Sequence, residues 1–432
     1  MSNVSSSNSQ GELVPELRFP EDKSDWKVIV FENLFDVLTN NTLSRAELSF
    51  DGKIKNIHYG DILTKYGNIL DMNEECVPYI NINSTVKYNE SYLKDGDIII
   101  ADTAEDITVG KTTEIYNLKY NLALSGLHTI PCRPKIKFEP KYLGYYMNGP
   151  QYHKQLFPLM QGIKVLSISK SNITKTIIRY PSIDVQKKQT HILSLLDKKI
   201  RKQNELINCL KSYKRGLLAR LFPKKGDTVP ELRFKEFTAD WERRKLSDIC
   251  ERVTRKNKNS ESDLPLTISS QYGLIDQRDF FNKVVAAKDM SNYYLLQNGE
   301  YAYNKSYSNG YDYGSIKRLN AYEQGCLSTL YICFSLESSD VDSDYLECFF
   351  DTLQWYGDVS MICAEGARNH GLLNVDTKAF FTDVRINMPI NIEEQRQISQ
   401  YSNTLDTLIA LHQEKCEMYA KIKNVLFKKM FI

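Results

Sequence analysis

The sequence predicts an α+β protein, with two mixed α/β globular domains separated by two long antiparallel coiled-coil helices in a pseudo-two-fold internal repeat. Three observations predict this. The opening VPELRFPEDKSDW (Val14–Trp26) returns as VPELRFKEFTADW (Val229–Trp241), marking two equivalent domain starts. The stretch Pro181–Phe222 carries a seam that alternates steps of four and three: Leu196, Ile200, Gln203, Ile207, Leu210, Lys214, Leu217, Leu221. That is the spacing of a coiled-coil face. The same seam is written again at Leu405, Ile409, His412, Cys416, Tyr419, Lys423, Leu426 and Met430. Leu196–Asp197 falls on Leu405–Asp406, Lys214 on Lys423 and Phe222 on Phe431, with no gap.

Taken in order, residues 1–11 (MSNVSSSNSQG) are polar and read as a disordered tail. Residues 12–182 form the first globular domain and 183–222 the first long helix. Asp184 reads as the N-cap of that helix and Pro223 as its stop. Residues 223–228 are a linker of charges and Gly, 229–389 the second globular domain, and 390–432 the second long helix. Asn391 followed by Glu394 offers the second helix a capping box. Short strands are expected at Ile163–Ser169 and Asp383–Asn387. An isolated long helix would expose its apolar stripe, so the two are expected to pair along their seams. Gln203, Lys214, His412 and Lys423 can set the register, as polar seam residues do.

Landmarks inside the domains recur in the same order. GDIIIADTAEDITVGK begins at Gly96 and GEYAYNKSYSNGYDYGSIK at Gly299. Tyr142–Leu143 corresponds to Tyr345–Leu346, QGIKVLSISKSNI at Gln161 to EGARNHGLLNVDTKAF at Glu365, and RYP at Arg179–Pro181 to NMP at Asn387–Pro389.

With 432 residues, 42% apolar and 25% charged, the chain can bury two or three cores. A net charge of +2 gives no global nucleic-acid signature, so DNA affinity must come from local patches. Gln186–Lys225 concentrates Lys and Arg against only Asp197 and Glu205, which fits either a solvated helix face or proximity to DNA. Nine scattered Cys without a CxxC pair, and no His at ligand spacing, read as reduced thiols with no metal site in a cytoplasmic protein. No signal peptide and no apolar run of about 18 residues is present, so no membrane partner is expected.

Catalytic motifs are missing. Gly110-Lys111-Thr112 resembles the end of a phosphate-binding loop, but Glu105 stands where that loop needs Gly and would repel phosphate. The polar, aromatic stretch Tyr301–Gly314 offers more, because such side chains supply hydrogen bonds to base edges and phosphates. The candidate DNA-binding residues in the second half are Tyr303, Asn304, Lys305, Ser306, Tyr307 and Ser308, with Arg368, Asn369 and His370 from the EG loop. In the first half they are Asp102, Thr103 and Lys111, with Lys65, and Gln161 and Lys164 from the QG loop. A repeated scaffold with divergent loops suits two readers of two different targets.

These features, in this order and duplicated, resemble the specificity subunit of type I restriction–modification systems over nearly the whole chain. The residues that carry the resemblance are the twice-used VPELRF…DW, IHYGDI at Ile57–Ile62, GDIIIADTAED, AYNKSYSNG, the QG and EG loops, and the helix ends LLARLF and VLFKKMF. The resemblance implies that both globular domains are target-recognition domains, each reading half of a split double-stranded DNA site. The helix pair would be a spacer that docks two methyltransferase subunits and, through them, motor–nuclease restriction subunits. S-adenosylmethionine, ATP and magnesium would belong to those partners, with no cofactor on this chain. The first helix has Asp-Val-Gln (Asp184–Gln186) where the second has Glu-Glu-Gln (Glu393–Gln395), a departure from symmetry. Two rival functions are a coiled-coil adaptor without a DNA role and a self-contained DNA-modifying enzyme.

Overall fold

The computed structural model describes residues 14–22, 25–81, 91–269, 273–281, 286–307, 310–369 and 372–432, with backbone alone for 364–369 and 372. The tail at 1–11, Ser308 and His370 lie outside these residues. The chain divides into two compact units, Met1–Asn204 with Glu414–Ile432, and Glu205–Gln413. Each unit takes in part of both long helices, which the sequence reading had set apart from the globular domains.

In the first unit a five-stranded sheet runs Phe35–Val37, Thr129–Pro134, Ile98–Ala101, Thr112–Tyr116, Ile69–Asp71. All its pairs are antiparallel except the last. The central strand is apolar throughout because it is buried on both faces. Ile98 and Ile100 enter a core with Trp26, Phe31, Tyr142 and Tyr146, whereas Ile99 and Ala101 enter one with Ile57, Tyr66 and Ile115. The second unit repeats the plan with an antiparallel sheet Cys250–Arg252, Ile332–Leu336, Tyr301–Asn304, Ser315–Arg318. There Tyr301 and Tyr303 face one core and Ala302 the other.

The VPELRF repeat is a clasp for helix ends. Leu232 N–H donates to the Arg220 carbonyl in the last turn of one long helix, and Leu17 N–H donates to the Lys429 carbonyl in the last turn of the other. Glu231 pairs with Arg220 at 2.9 Å and Glu16 with Lys429 at 3.4 Å. Each of the two backbone N–H groups satisfies a carbonyl that a helix end leaves open. The terminal phenylalanines follow the same rule: Phe222 stacks on Tyr345 at 5.4 Å, and Phe431 meets Tyr142 edge-on at 6.0 Å.

The long helices are Ile183–Leu221 and Ile392–Lys429. Every seam residue is buried or half-buried, while Leu195, Leu206, Leu408, Leu411, Met418, Ile422 and Val425 are exposed. In the first unit Lys423 Nζ meets Asp197 at 2.5 Å, Cys416 Sγ meets Asn204 Oδ1 at 3.4 Å, and Gln189 Nε2 donates to the Met430 carbonyl at 2.8 Å. Residue numbers rise on one helix as they fall on the other, so these segments run antiparallel. In the second unit the equivalent contact is Lys214 with Asp406, at 2.8 Å to each oxygen.

Four local expectations are corrected. The first helix starts at Ile183, so Asp184 sits in its first turn and not at the cap. The capping box is half made: Asn391 Oδ1 accepts the Glu393 N–H, but buried Glu394 is taken by Arg233 at 2.8 and 2.9 Å and by Trp241 Nε1 at 3.2 Å. The expected strand at Ile163–Ser169 is only Leu166–Ser167, and that at Asp383–Asn387 is Arg385–Met388, paired with Glu242–Lys245. All nine cysteines are free thiols.

Candidate functional site

In each unit the central strand delivers its C-terminal end to a loop, and backbone hydrogen bonding joins the two. In the first unit the Ile168 N–H donates to the Asp102 carbonyl at 2.8 Å. Thr103 pairs with Ser167, and Gln161 and Ser167 exchange backbone bonds that close the loop between them. Gly162 has φ +117°, and a Cβ there would lie 1.9 Å from the Val165 carbonyl oxygen, so only glycine fits. Gln161, Ile163, Lys164 and Val165 are exposed on this loop.

In the second unit the Leu373 N–H donates to the Lys305 carbonyl at 2.9 Å. The hairpin involved pairs Cys363–Asn369 with Leu372–Val375, with Arg368 opposite Leu373 and Asn369 opposite Leu372. Asn304 Oδ1 accepts the Ser306 N–H at 3.0 Å, a local turn that pins the segment as it leaves the sheet. Gly314 lies so close below Asn304 that a Cβ would stand 2.0 Å from its carbonyl oxygen. The structure thus joins AYNKS to the EG loop and ADT to the QG loop, a pairing that the order of the landmarks alone does not give.

The other candidate side chains differ in access. Tyr303 is a correction: it is wholly buried, its hydroxyl donates to the Tyr313 carbonyl at 2.7 Å, and its ring packs on Trp355 and Phe380. It builds the core and offers no exposed contact. Tyr307 is exposed, and Lys305 is half-buried, with burial holding its ammonium below the usual lysine range. Lys111 is also held down by burial, and its Nζ donates to the Leu63 carbonyl at 2.9 Å. Lys65 is exposed, its Nζ donating to the Cys76 carbonyl at 2.6 Å.

Sequence reading missed His128. Asp102 Oδ1 lies 3.3 Å from His128 Nδ1, and Thr103 Oγ1 lies 3.3 Å from the same nitrogen. Tyr59 meets the His128 ring edge-on at 5.2 Å, and the His58 ring lies tilted against Tyr59 at 4.7 Å. Burial first, then Arg45, lowers the His58 pKa. Only strand pairing unites these distant segments, so no local spacing could have announced them. Among the described residues no cluster of His, Cys, Asp or Glu could hold a metal ion, and no helix is long and apolar enough to cross a membrane.

Residues 23–212 match the family described as the type I restriction modification DNA specificity domain. The MjaX type I restriction enzyme specificity subunit of Methanocaldococcus jannaschii is 26% identical over 232 residues, covering 50% of this chain and 51% of that protein. The match therefore spans about half the length of that relative. The fold is similar to the crystal structure of the type I restriction–modification S subunit from M. genitalium, with a TM-score of 0.58 at 15% identity, covering 97% of this chain and 99% of that one. A chain from work on complex assembly and conformational transition of the type I system gives 0.52 at 14% identity, covering 96% and 99%.

Proposed function

Because residues 23–212 match the type I restriction–modification DNA specificity domain, we propose that the chain is a specificity subunit that reads a split double-stranded DNA target, one half-site per globular domain. Specificity subunits of these systems are DNA-recognition subunits without catalysis of their own. The observation that carries the reading is the repeated join of strand end to loop. The frame is the same in both units, yet Asp102 stands in one where Lys305 stands in the other. A constant frame with changed side chains is what two readers of different base sequences require.

The two long helices pair antiparallel along their seams in this reading and fix the gap between half-sites. The ion pairs Lys423–Asp197 and Lys214–Asp406 support it from each unit. The exposed stripe Leu408, Leu411, Met418, Ile422 and Val425 on the second helix offers apolar surface to a partner helix. Two methyltransferase subunits are the proposed occupants of the helix pair, and motor–nuclease subunits join through them. S-adenosylmethionine, ATP and magnesium then reside on those partners, in the cytoplasm.

The test is a genome-wide map of methylated adenines in cells supplying the methyltransferase subunit, with and without this chain. The expected result is a motif of two short half-sites with a fixed gap, present only with the chain. An unchanged map from cells in which the two proteins co-purify would overturn the reading and favour the adaptor.

A further inference from the structure

The first unit carries a histidine whose setting is built for reading a base edge. His128 stands at the end of the turn between strands Leu122–Ser125 and Thr129–Pro134, at φ +54°. Histidine is among the few non-glycine residues that adopt this left-handed backbone readily. The turn beneath it is rigid. Ser125 and Thr129 hydroxyls lie 2.6 Å apart, both fully buried, and Thr129 Oγ1 also donates to the Gly126 carbonyl at 2.5 Å. Gly126 is wedged against Asn56, where a Cβ would lie 2.7 Å from Nδ2. The Asp102 N–H donates to the His128 carbonyl at 3.1 Å, tying the turn to the central strand beside the QG loop.

The ring itself is oriented. Thr103 Oγ1 donates to Asp102 Oδ1 at 2.8 Å, so both oxygens facing His128 Nδ1 act as acceptors. Nδ1 is thereby set as the donor, and in the tautomer with its proton on Nδ1 the ring presents Nε2 as an acceptor. Nε2 has no hydrogen-bond partner among the described residues, and the side chain is 46% exposed. A carboxylate-oriented imidazole on a rigid turn costs little entropy to position against a ligand.

We propose that His128, held by Asp102 and Thr103, is a specificity-determining residue of the first half-site, its Nε2 accepting from an exocyclic amino group of adenine or cytosine in the major groove. The proposal rests on the reading of the chain as a DNA-recognition subunit and adds a residue and a contact to it. Asp102 is here a positioning residue that fixes the tautomer. In the second unit Tyr331 precedes the equivalent strand Ile332–Leu336, so the contact belongs to the first half-site alone.

The test maps methylated adenines for the full chain with its methyltransferase subunit, comparing wild type with His128→Asn and Asp102→Asn. Asparagine tolerates the left-handed backbone, so the turn is kept. The expected outcome is that His128→Asn relaxes one position in one half-site, with discrimination there falling about tenfold to hundredfold. The other half-site and the gap should stay unchanged, which also reports a folded chain. Asp102→Asn should relax the same position. An unchanged motif overturns the proposal while leaving the DNA-recognition reading intact, and so does uniform loss from both half-sites. A wild-type chain that yields no split motif refutes the reading beneath it.

Discussion

Lys214 Nζ holds both carboxylate oxygens of Asp406 at 2.8 Å and reaches Asp351 at 3.0 Å. Lys317 closes the cluster at 2.7 Å from Asp351. In the first-unit counterpart Lys423 is more exposed than Lys214 and meets one carboxylate, Asp197, which also accepts from the Tyr145 hydroxyl at 2.7 Å. A cation at a seam position costs desolvation, and it is tolerated where opposite charge meets it. Replacing Lys214 by Met keeps the stem, leaves half-exposed Asp406 without its cation and leaves Asp351 with Lys317 alone. We expect a loss of about 2 kcal/mol, below that for a fully buried pair. Lys423→Met should cost about 1 kcal/mol, because its pair is better screened. Urea unfolding of both variants measures the difference, and equal losses would contradict this account.

The same cluster sets a pH limit. Burial pushes the Asp351 carboxyl up, but the ammonium groups of Lys317 and Lys214 overcome that and hold it at about 2. In the unfolded chain an aspartate titrates near 3.9. The folded state therefore binds protons less readily, and the stabilisation is complete above about pH 4 and lost as pH falls toward 2. Without Lys214 the folded carboxyl should titrate higher, so acid unfolding of Lys214→Met should begin at higher pH than in wild type. Circular dichroism from pH 5 to pH 2 follows it, and coincident curves would refute the coupling.

The repeat was legible because it encodes contacts local to helix ends. VPELRF supplies the N–H groups of Leu17 and Leu232 that clasp those ends, and the terminal Phe222 and Phe431 pack on matched tyrosines. Seam lysines stood out because charge there demands a partner. Tyr303 was misread because a tyrosine-rich run looks polar, yet alternation sends Tyr301 and Tyr303 into one core. The Asn391–Glu394 box is only half made for a tertiary reason: Arg233 and Trp241 claim the glutamate. His128 depended on strand pairing that brings Asp102 beside it, which no spacing in the chain reveals.

Gly216 lies inside the helix Ile183–Leu221, exposed, and a Cβ there would meet nothing within 4 Å. Glycine in a helix interior wastes conformational entropy that alanine does not. Gly216→Ala should therefore raise stability by about 0.5–1 kcal/mol. A shift of the urea midpoint to higher concentration with an unchanged slope would bear this out. A drop would mean that the glycine serves a backbone requirement absent from the helix geometry.

Asn304 ends the central strand of the second unit and Lys305 follows it, its carbonyl anchoring the EG hairpin through the backbone. Lys305→Ala removes the cation and keeps that anchor, so the change is confined to what the side chain contacts. On the DNA-recognition reading, binding should weaken through the second half-site only, by about fivefold or more, with the salt slope reduced by about one if the contact is to phosphate. Binding by the assembled methyltransferase to duplexes with one intact and one scrambled half-site separates the two contributions. Equal loss through both half-sites would show that Lys305 acts on the whole assembly and not on a local contact. Asn304→Ala is a sharper probe, because its side chain also caps the Ser306 N–H at 3.0 Å. Losing that turn should loosen the segment, so Asn304→Ala should cost more second-half-site affinity than Lys305→Ala.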